Sequence, residues 1–248
     1  VMPDCPTATI GFSGCASRLR CFFWDSVKFT VDSIAAGRTE TVMARKSSSK
    51  RWLERQARDP YVRQAQQAGW RSRAVYKLME MQERDRLLRS GATVVDLGAA
   101  PGGWSQYAAS VIGEQGRVLA VDLLPMDAIA GVECIHGDFT SEHILMRMLQ
   151  SVGEGTADLV MSDMAPNISG NRSIDQPRAM YLAELAFDAA QRFLRPRGAF
   201  VTKLFHGEGF DQYVRDARRC FDAVKVRKPA ASRSGSRETY LVASNYRV

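Results

Sequence analysis

From Thr93 onward, short apolar runs alternate with helix-length stretches, and this alternation restricts the possible folds more than any other feature. Seven strand-like runs fall at 93–97 (TVVDL), 117–122 (RVLAVD), 132–135, 157–162 (ADLVMS), 198–205 (GAFVTKLF), 223–227 and 239–243. Helix-length segments at 103–112, 141–151, 177–194 and 209–220 separate most of them. Strands that return through crossover helices pair in parallel, and the helices cover both sheet faces. The expectation is a doubly wound, mainly parallel seven-stranded α/β sheet, with ligands received at the carboxyl ends of its strands.

Ahead of the sheet, Asp59-Pro60 predicts a helix over 60–68 that Gly69 stops, and Ser72 can cap a second helix over 73–88. This region also carries the charge. The chain's net charge is +7, and between Arg45 and Lys77 ten basic residues face only Glu54 and Asp59. Residues 1–44 are balanced, and 78–248 carry one excess negative charge. Trp52, Tyr61, Trp70 and Tyr76 interleave with the cations. Cations neutralise phosphates and exposed rings stack on unpaired bases, so 43–72 reads as a basic RNA-binding segment preceding a catalytic domain at 73–248. A solvated basic tail is the competing interpretation.

Residues 1–42 lack the basic start and continuous apolar core of a signal peptide. They are expected to be a non-native or disordered extension, with Met43 as the natural start. The five cysteines form no C-x-x-C pair, which argues against a metal site or disulfide framework and fits a reducing cytoplasm. No run reaches the roughly 18 apolar residues of a membrane helix. A monomer without metal is expected.

The turn that follows the first strand, DLGAAPGGWSQ, discriminates among ligands. Its glycines, Gly98, Gly102 and Gly103, with Pro101 between them, miss the G-x-G-x-x-G spacing of dinucleotide folds. A Walker loop needs G-K-[ST], and no lysine is present. Asp96 would repel a pyrophosphate. Asp122, ending the second strand, can accept from ribose hydroxyls, and Asp138 in HGDF from an adenine amine. S-adenosylmethionine has a ribose, an amine and a positive sulfur but no phosphate, and it suits this set. Either acid alone could instead cap a turn.

Lys203 lies in AFVTKLF, a strand expected to be central, where a lysine needs partners. Asp163 ends the neighbouring strand, Glu238 precedes the last one, and Lys77 sits on the helix ahead of the sheet. Two amines and two carboxylates meeting at the strand ends would balance in charge. A desolvated lysine beside another cation can act as a base, which makes Lys203 the candidate either to relieve a hydroxyl of its proton or to steer its oxygen. A purely structural ion-pair network is the alternative.

The motifs RSRAVYKL, DLGAAPGGWSQ, DLLPM, GDF, SDMAPNISG, PRAMYL, GEGFD and SRSGSRETYLVA together resemble the FtsJ/RlmE family of ribosomal RNA large-subunit 2′-O-methyltransferases, over about residues 50–245. The resemblance implies a Rossmann-like methyltransferase domain that uses S-adenosylmethionine. It also implies a Lys-Asp-Lys-Glu catalytic tetrad at Lys77, Asp163, Lys203 and Glu238, and donor contacts at Gly102, Trp104, Asp122, Asp138 and Asp163, with Gly98 and Pro101 in the same turn. The implied substrate is a uridine of the A loop of 23S ribosomal RNA, in the large subunit or its precursor. Other members of this chemistry modify messenger-RNA caps or transfer RNA, and a non-catalytic ribosome-assembly factor is a further alternative. One departure is His206, where the family usually has glutamine, which makes that loop a candidate for pH sensitivity. Lys225, Arg227, Lys228, Arg233 and Arg237 are expected to extend the RNA surface toward Glu238.

Overall fold

Short, nearly continuous apolar runs buried on both faces build the sheet from its centre outward. The computed structural model describes residues 59–233 and 235–247. The expectations for 1–42, for Met43, for Trp52 and for the cations from Arg45 to Arg58 lie outside the described residues. The strands are β1 (Thr93–Leu97), β2 (Arg117–Asp122), β3 (Val132–His136), β4 (Ala157–Ser162), β5 (Leu194–Phe205), β6 (Phe221–Arg227) and β7 (Glu238–Tyr246). The helices are α1 (Pro60–Gln67), α2 (Val75–Asp85), α3 (Gly103–Ile112), α4 (Glu142–Val152), α5 (Arg172–Phe193) and α6 (Phe210–Cys220).

The strands form one sheet in the order β3-β2-β1-β4-β5-β7-β6, with β7 antiparallel to both neighbours. Successive side chains point to opposite faces, and the two cores show this. Val95, Val160, Phe200 and Leu241 enter one core with α4, α5 and α6. Val94, Leu159, Met161, Val201 and Tyr240 enter the other with α2 and α3. The strand order reverses between β1 and β4, whose register sets Leu97 beside Ser162. The turn after β1 and Asp163 after β4 therefore flank the crevice where such sheets receive ligands.

Several elements differ from expectation at their ends, and three show the reason in their local contacts. Helix α2 covers 75–85 rather than 73–88: Ser72 Oγ accepts the Ala74 amide and makes a preliminary turn, and Arg86 adopts left-handed backbone that stops the helix. Helix α5 begins five residues before Pro177 because Asn171 caps it, accepting the Ser173 amide. A proline was expected at the first helical position; here it lies a turn and a half inside, where the helix lacks the bond its N–H would have made. Strand β5 starts at Leu194 rather than 198, through an irregular pairing between Ala157 and Leu159.

Much of the described basic segment is built into the domain. The Arg71 guanidinium donates to the Asp127 and Ala128 carbonyls at 2.8 and 2.6 Å. Arg73 pairs with Asp59 at 2.6 Å and donates to the Ala231 carbonyl. Trp70 packs edge-on against Tyr107, and Tyr61 against Tyr76. Of the four described cations between Arg63 and Lys77, only Arg63 is exposed. Arg71 and Arg73, two of the ten cations most of which were expected to touch phosphate, are thus engaged within the domain, and Lys77 lies in the expected tetrad. Lys225 and Arg227 likewise grip the buried carboxylate of Asp85, at 3.0 and 2.7 Å, tying β6 to the end of α2.

Candidate active site

The cofactor turn is shaped by close approach. Gly98 has left-handed backbone (φ 72°), and a Cβ there would lie 2.1 Å from Met164 Cγ; Gly102 (φ 99°) would meet Ile129 Cδ1 at 2.5 Å. Pro101 is exposed at the apex, after a cis peptide bond. Helix α3 starts directly on Gly102 without a side-chain cap, and its first intrahelical bond is Gln106 N–H to the Gly102 carbonyl. The amides ahead of that bond have no acceptor within the helix. Ser105 gives its amide and its hydroxyl (2.6 Å) to Asp96, which leaves Gly103 and Trp104 as backbone donors for an anion such as a ligand carboxylate.

Asp96 is buried, and desolvation, reinforced by nearby Asp163 and Asp122, pushes its carboxyl up to about 7 against the pull of Ser105. Asp122 accepts the Ala100 amide on one oxygen and the Leu124 amide on the other, at 2.8 and 2.7 Å. It therefore anchors both sides of the turn while each oxygen keeps further acceptor capacity. Asp138 is exposed, and its Oδ1 holds Thr140 through both amide and hydroxyl. The turn-capping roles weighed for both acids are thus present alongside any ligand role. The Trp104 indole is not free for a ligand: it is buried against Tyr240, and its N–H donates to the Ala74 carbonyl at 2.8 Å. Its side chain fixes α2, the helix of Lys77, so only its backbone faces the turn's contents. Leu123 and Leu124, beside Asp122, are exposed and offer an apolar wall. Backbone donors, carboxylates and this wall suit a ligand with a carboxylate, hydroxyls and a cation; three carboxylates around one turn oppose a pyrophosphate.

Across the crevice, the four expected catalytic residues meet. Lys203 Nζ contacts Asp163 Oδ1 at 2.7 Å and donates to the Asp163 carbonyl at 2.8 Å. Lys77 Nζ pairs with Glu238 Oε1 and lies 3.9 Å from Asp163 Oδ1. Both lysines are 8% exposed. Burial alone would raise the carboxyls of Asp163 and Glu238, but the two ammonium groups outweigh it, and both sit below their ordinary values. The carboxylates are ionised at neutral pH and match the cations charge for charge.

Tyr240 is the member that the sequence reading missed. Its hydroxyl accepts from Lys77 Nζ at 2.8 Å and lies 2.5 Å from Asp163 Oδ1 and 2.9 Å from Glu238 Oε1. Burial first, and then those two carboxylates, hold its phenol well above the usual range, so it stays a neutral link between them. The signal was available: Tyr240 follows Glu238 by two residues on a strand, which puts both on one face, and register sets Tyr240 directly opposite Lys203. His206 stands on the loop after β5, its ring 4.3 Å from that of Phe210; its amide donates to the Arg237 carbonyl, and the Arg237 guanidinium donates to its carbonyl at 3.1 Å. Among the described residues, no cluster of His, Cys, Asp and Glu could hold a metal ion, and no helix is long and apolar enough to cross a membrane.

A doubly wound sheet with an antiparallel seventh strand, a glycine turn at its switch point and a lysine–carboxylate cluster opposite define a Rossmann-like methyltransferase domain. The same fold appears in a Plasmodium falciparum protein described as a ribosomal RNA methyltransferase, with TM-score 0.64 and 24% identity over 71% of this chain and 98% of that one. The chain belongs to the FtsJ-like methyltransferase family, whose model matches residues 70–246. It is similar to the ribosomal RNA large subunit methyltransferase E of Pseudomonas paraeruginosa, 59% identical over 205 residues that cover 83% of this chain and 99% of the relative. The corresponding protein of Cellvibrio japonicus is 55% identical over 82% of this chain and 97% of its own length.

Proposed function

We propose that this methyltransferase transfers a methyl group from S-adenosylmethionine to the ribose 2′-hydroxyl of an A-loop uridine in 23S ribosomal RNA, within the large ribosomal subunit or its precursor in the cytoplasm. Relatives more than half identical over nearly their whole length bear the name ribosomal RNA large subunit methyltransferase E, which supports large-subunit ribosomal RNA as the substrate. The observation that carries the chemistry is Lys203, nearly buried, with two of its N–H bonds directed at Asp163.

S-adenosylmethionine, when bound, supplies an electrophilic methyl on a positively charged sulfur. Gly103 and Trp104 amides would receive its carboxylate, Asp122 its ribose hydroxyls, and Asp138 its adenine amine. The protein's remaining task is to place a weakly nucleophilic sugar oxygen in line and remove its proton. Asp163 holds the Lys203 amine through carboxylate and carbonyl, leaving the third nitrogen position for the 2′-oxygen. For that transfer Lys203 first gives up one of its own protons to solvent, and the lone pair freed at the third position takes the 2′-hydroxyl proton as the oxygen attacks. Lys77, fixed by Glu238 and Tyr240, supplies a positive field that favours the deprotonated oxygen. A positioned base contributes roughly 10²–10⁴-fold, and placement alone can supply roughly 7–11 kcal/mol.

The test is methyl transfer to purified large subunits that lack the modification, with the site mapped by resistance of the adjacent linkage to alkali. Lys203→Ala is expected to bind donor and RNA as the parent does and to lose at least 100-fold in kcat. Wild-type turnover in that variant removes Lys203 from the reaction. Methylation of capped RNA or transfer RNA in preference to subunits replaces the substrate.

A further inference from the structure

Two adjacent residues of α5, neither in the tetrad, hold the two loops that leave the catalytic strands. Asp175 is buried and faces back along the loop after β4. Its Oδ1 accepts the Ser169 amide and hydroxyl at 2.9 and 2.8 Å, and its Oδ2 accepts the Gly170 amide at 2.9 Å. The Ser169 amide bond outweighs the desolvation that opposes it, and the carboxyl sits below its ordinary value. It is an ionised, fully engaged anchor.

Gln176, also buried, serves the loop after β5. Its Nε2 donates to the Phe205 carbonyl at 3.1 Å and the Glu208 carbonyl at 3.0 Å. Gly207, between them, presses so closely that a Cβ there would lie 2.6 Å from Gln176 Cδ. The amide orientation is forced, since both contacts require the nitrogen, and Oε1 is left buried without a partner. An orphan acceptor is unfavourable, so the two donated bonds are made at the expense of that oxygen. The loop after β4 begins with Asp163 and the loop after β5 follows Lys203 by three residues. One helical turn thus spans the ends of both strands.

We propose that Asp175 and Gln176 are positioning residues for methyl transfer: together they fix the β4 and β5 loops against α5 and so set the alignment of Asp163 with Lys203. This rests on the function proposed above. Misplacing reacting groups by about 1 Å can cost 10²-fold in rate without weakening ground-state binding, so the signature falls on kcat.

The experiment compares Asp175→Asn and Gln176→Met in the full chain. Methionine matches glutamine in length, removes both donors and the orphan oxygen, and leaves the Phe205 and Glu208 carbonyls on a loop that water reaches, Glu208 being exposed. Each variant is expected to lose tenfold or more in kcat on large subunits, with KM for RNA and for donor within threefold. Hydrogen exchange is expected to quicken in the 164–171 segment for Asp175→Asn and in the 205–209 segment for Gln176→Met, each leaving the other segment unchanged. Parental kcat in both variants, or unchanged exchange in both segments, overturns the assignment. A parent enzyme inert on subunits defeats the function instead, and the exchange measurement then decides the loop anchoring by itself.

Discussion

Replacing Asp163 by asparagine tests whether the tetrad is one electrostatic unit. The carboxylate receives Lys203 at 2.7 Å and Tyr240 at 2.5 Å, with Lys77 at 3.9 Å, and the three partners are nearly buried. Asparagine keeps the shape but removes the charge that faces two desolvated ammonium groups. Breaking one partner of a buried pair costs about 3–5 kcal/mol. Asp163 is not fully enclosed, its side chain being 19% exposed, so the low end, about 3 kcal/mol, applies. For a domain of this size each kcal/mol moves Tm by about 2–4 °C, so a fall of about 6–12 °C is expected in thermal melting. Adding Lys203→Met to Asp163→Asn removes the uncompensated cation and should return about 1–3 kcal/mol, a coupling typical of residues in contact, while leaving the enzyme inactive. If Asp163→Asn melts with the parent, or if the two changes add, the cluster is not coupled and the charge-balance reasoning is wrong.

Further outcomes follow from the same structure. Asp96 carries a carboxyl raised to about 7. The folded state therefore holds a proton that the unfolded chain has lost, and stability falls as pH rises from the ordinary carboxylate range through about 7. Asp96→Asn, which keeps an acceptor for Ser105, is expected to melt above the parent at pH 8, with the difference shrinking toward pH 5; an equal gap at both values refutes it. The Asp85 side chain is almost fully buried while its partners Lys225 and Arg227 reach solvent, so Asp85→Ala should cost about 1.5–3 kcal/mol in denaturant unfolding through the lost charge-assisted hydrogen bonds. Arg73→Ala should lower Tm by several degrees. Exposed Arg63→Ala should leave Tm unchanged and reduce the salt slope of single-strand RNA binding by about 0.7; the reverse assignment of effects would return Arg73 to the RNA surface.

The sheet was legible in the sequence because its signal is local. The nearly continuous apolar runs TVVDL, RVLAVD and ADLVMS mark strands of the observed length, since a central parallel strand covered on both faces buries almost every side chain. Lys203 announced itself by the same logic, as an amine in a strand that had to be covered. Pro177 misled because its helix-start preference is a local rule, whereas Asn171 and the Asp175-anchored loop decide where α5 begins.

What the sequence by itself determined is the order of strands and helices, the absence of dinucleotide and Walker glycine spacing in the turn after β1, and which four charged residues had to meet. What only the tertiary structure decided is who holds whom. Tyr240 joins the tetrad, the Trp104 indole holds α2, and Arg71, Arg73, Lys225 and Arg227 pair with groups of the domain itself. The reason is that a charge or a ring has the same sequence signature whether it faces solvent or a carboxylate 140 residues away. Only the packing of distant elements determines which of the two it meets.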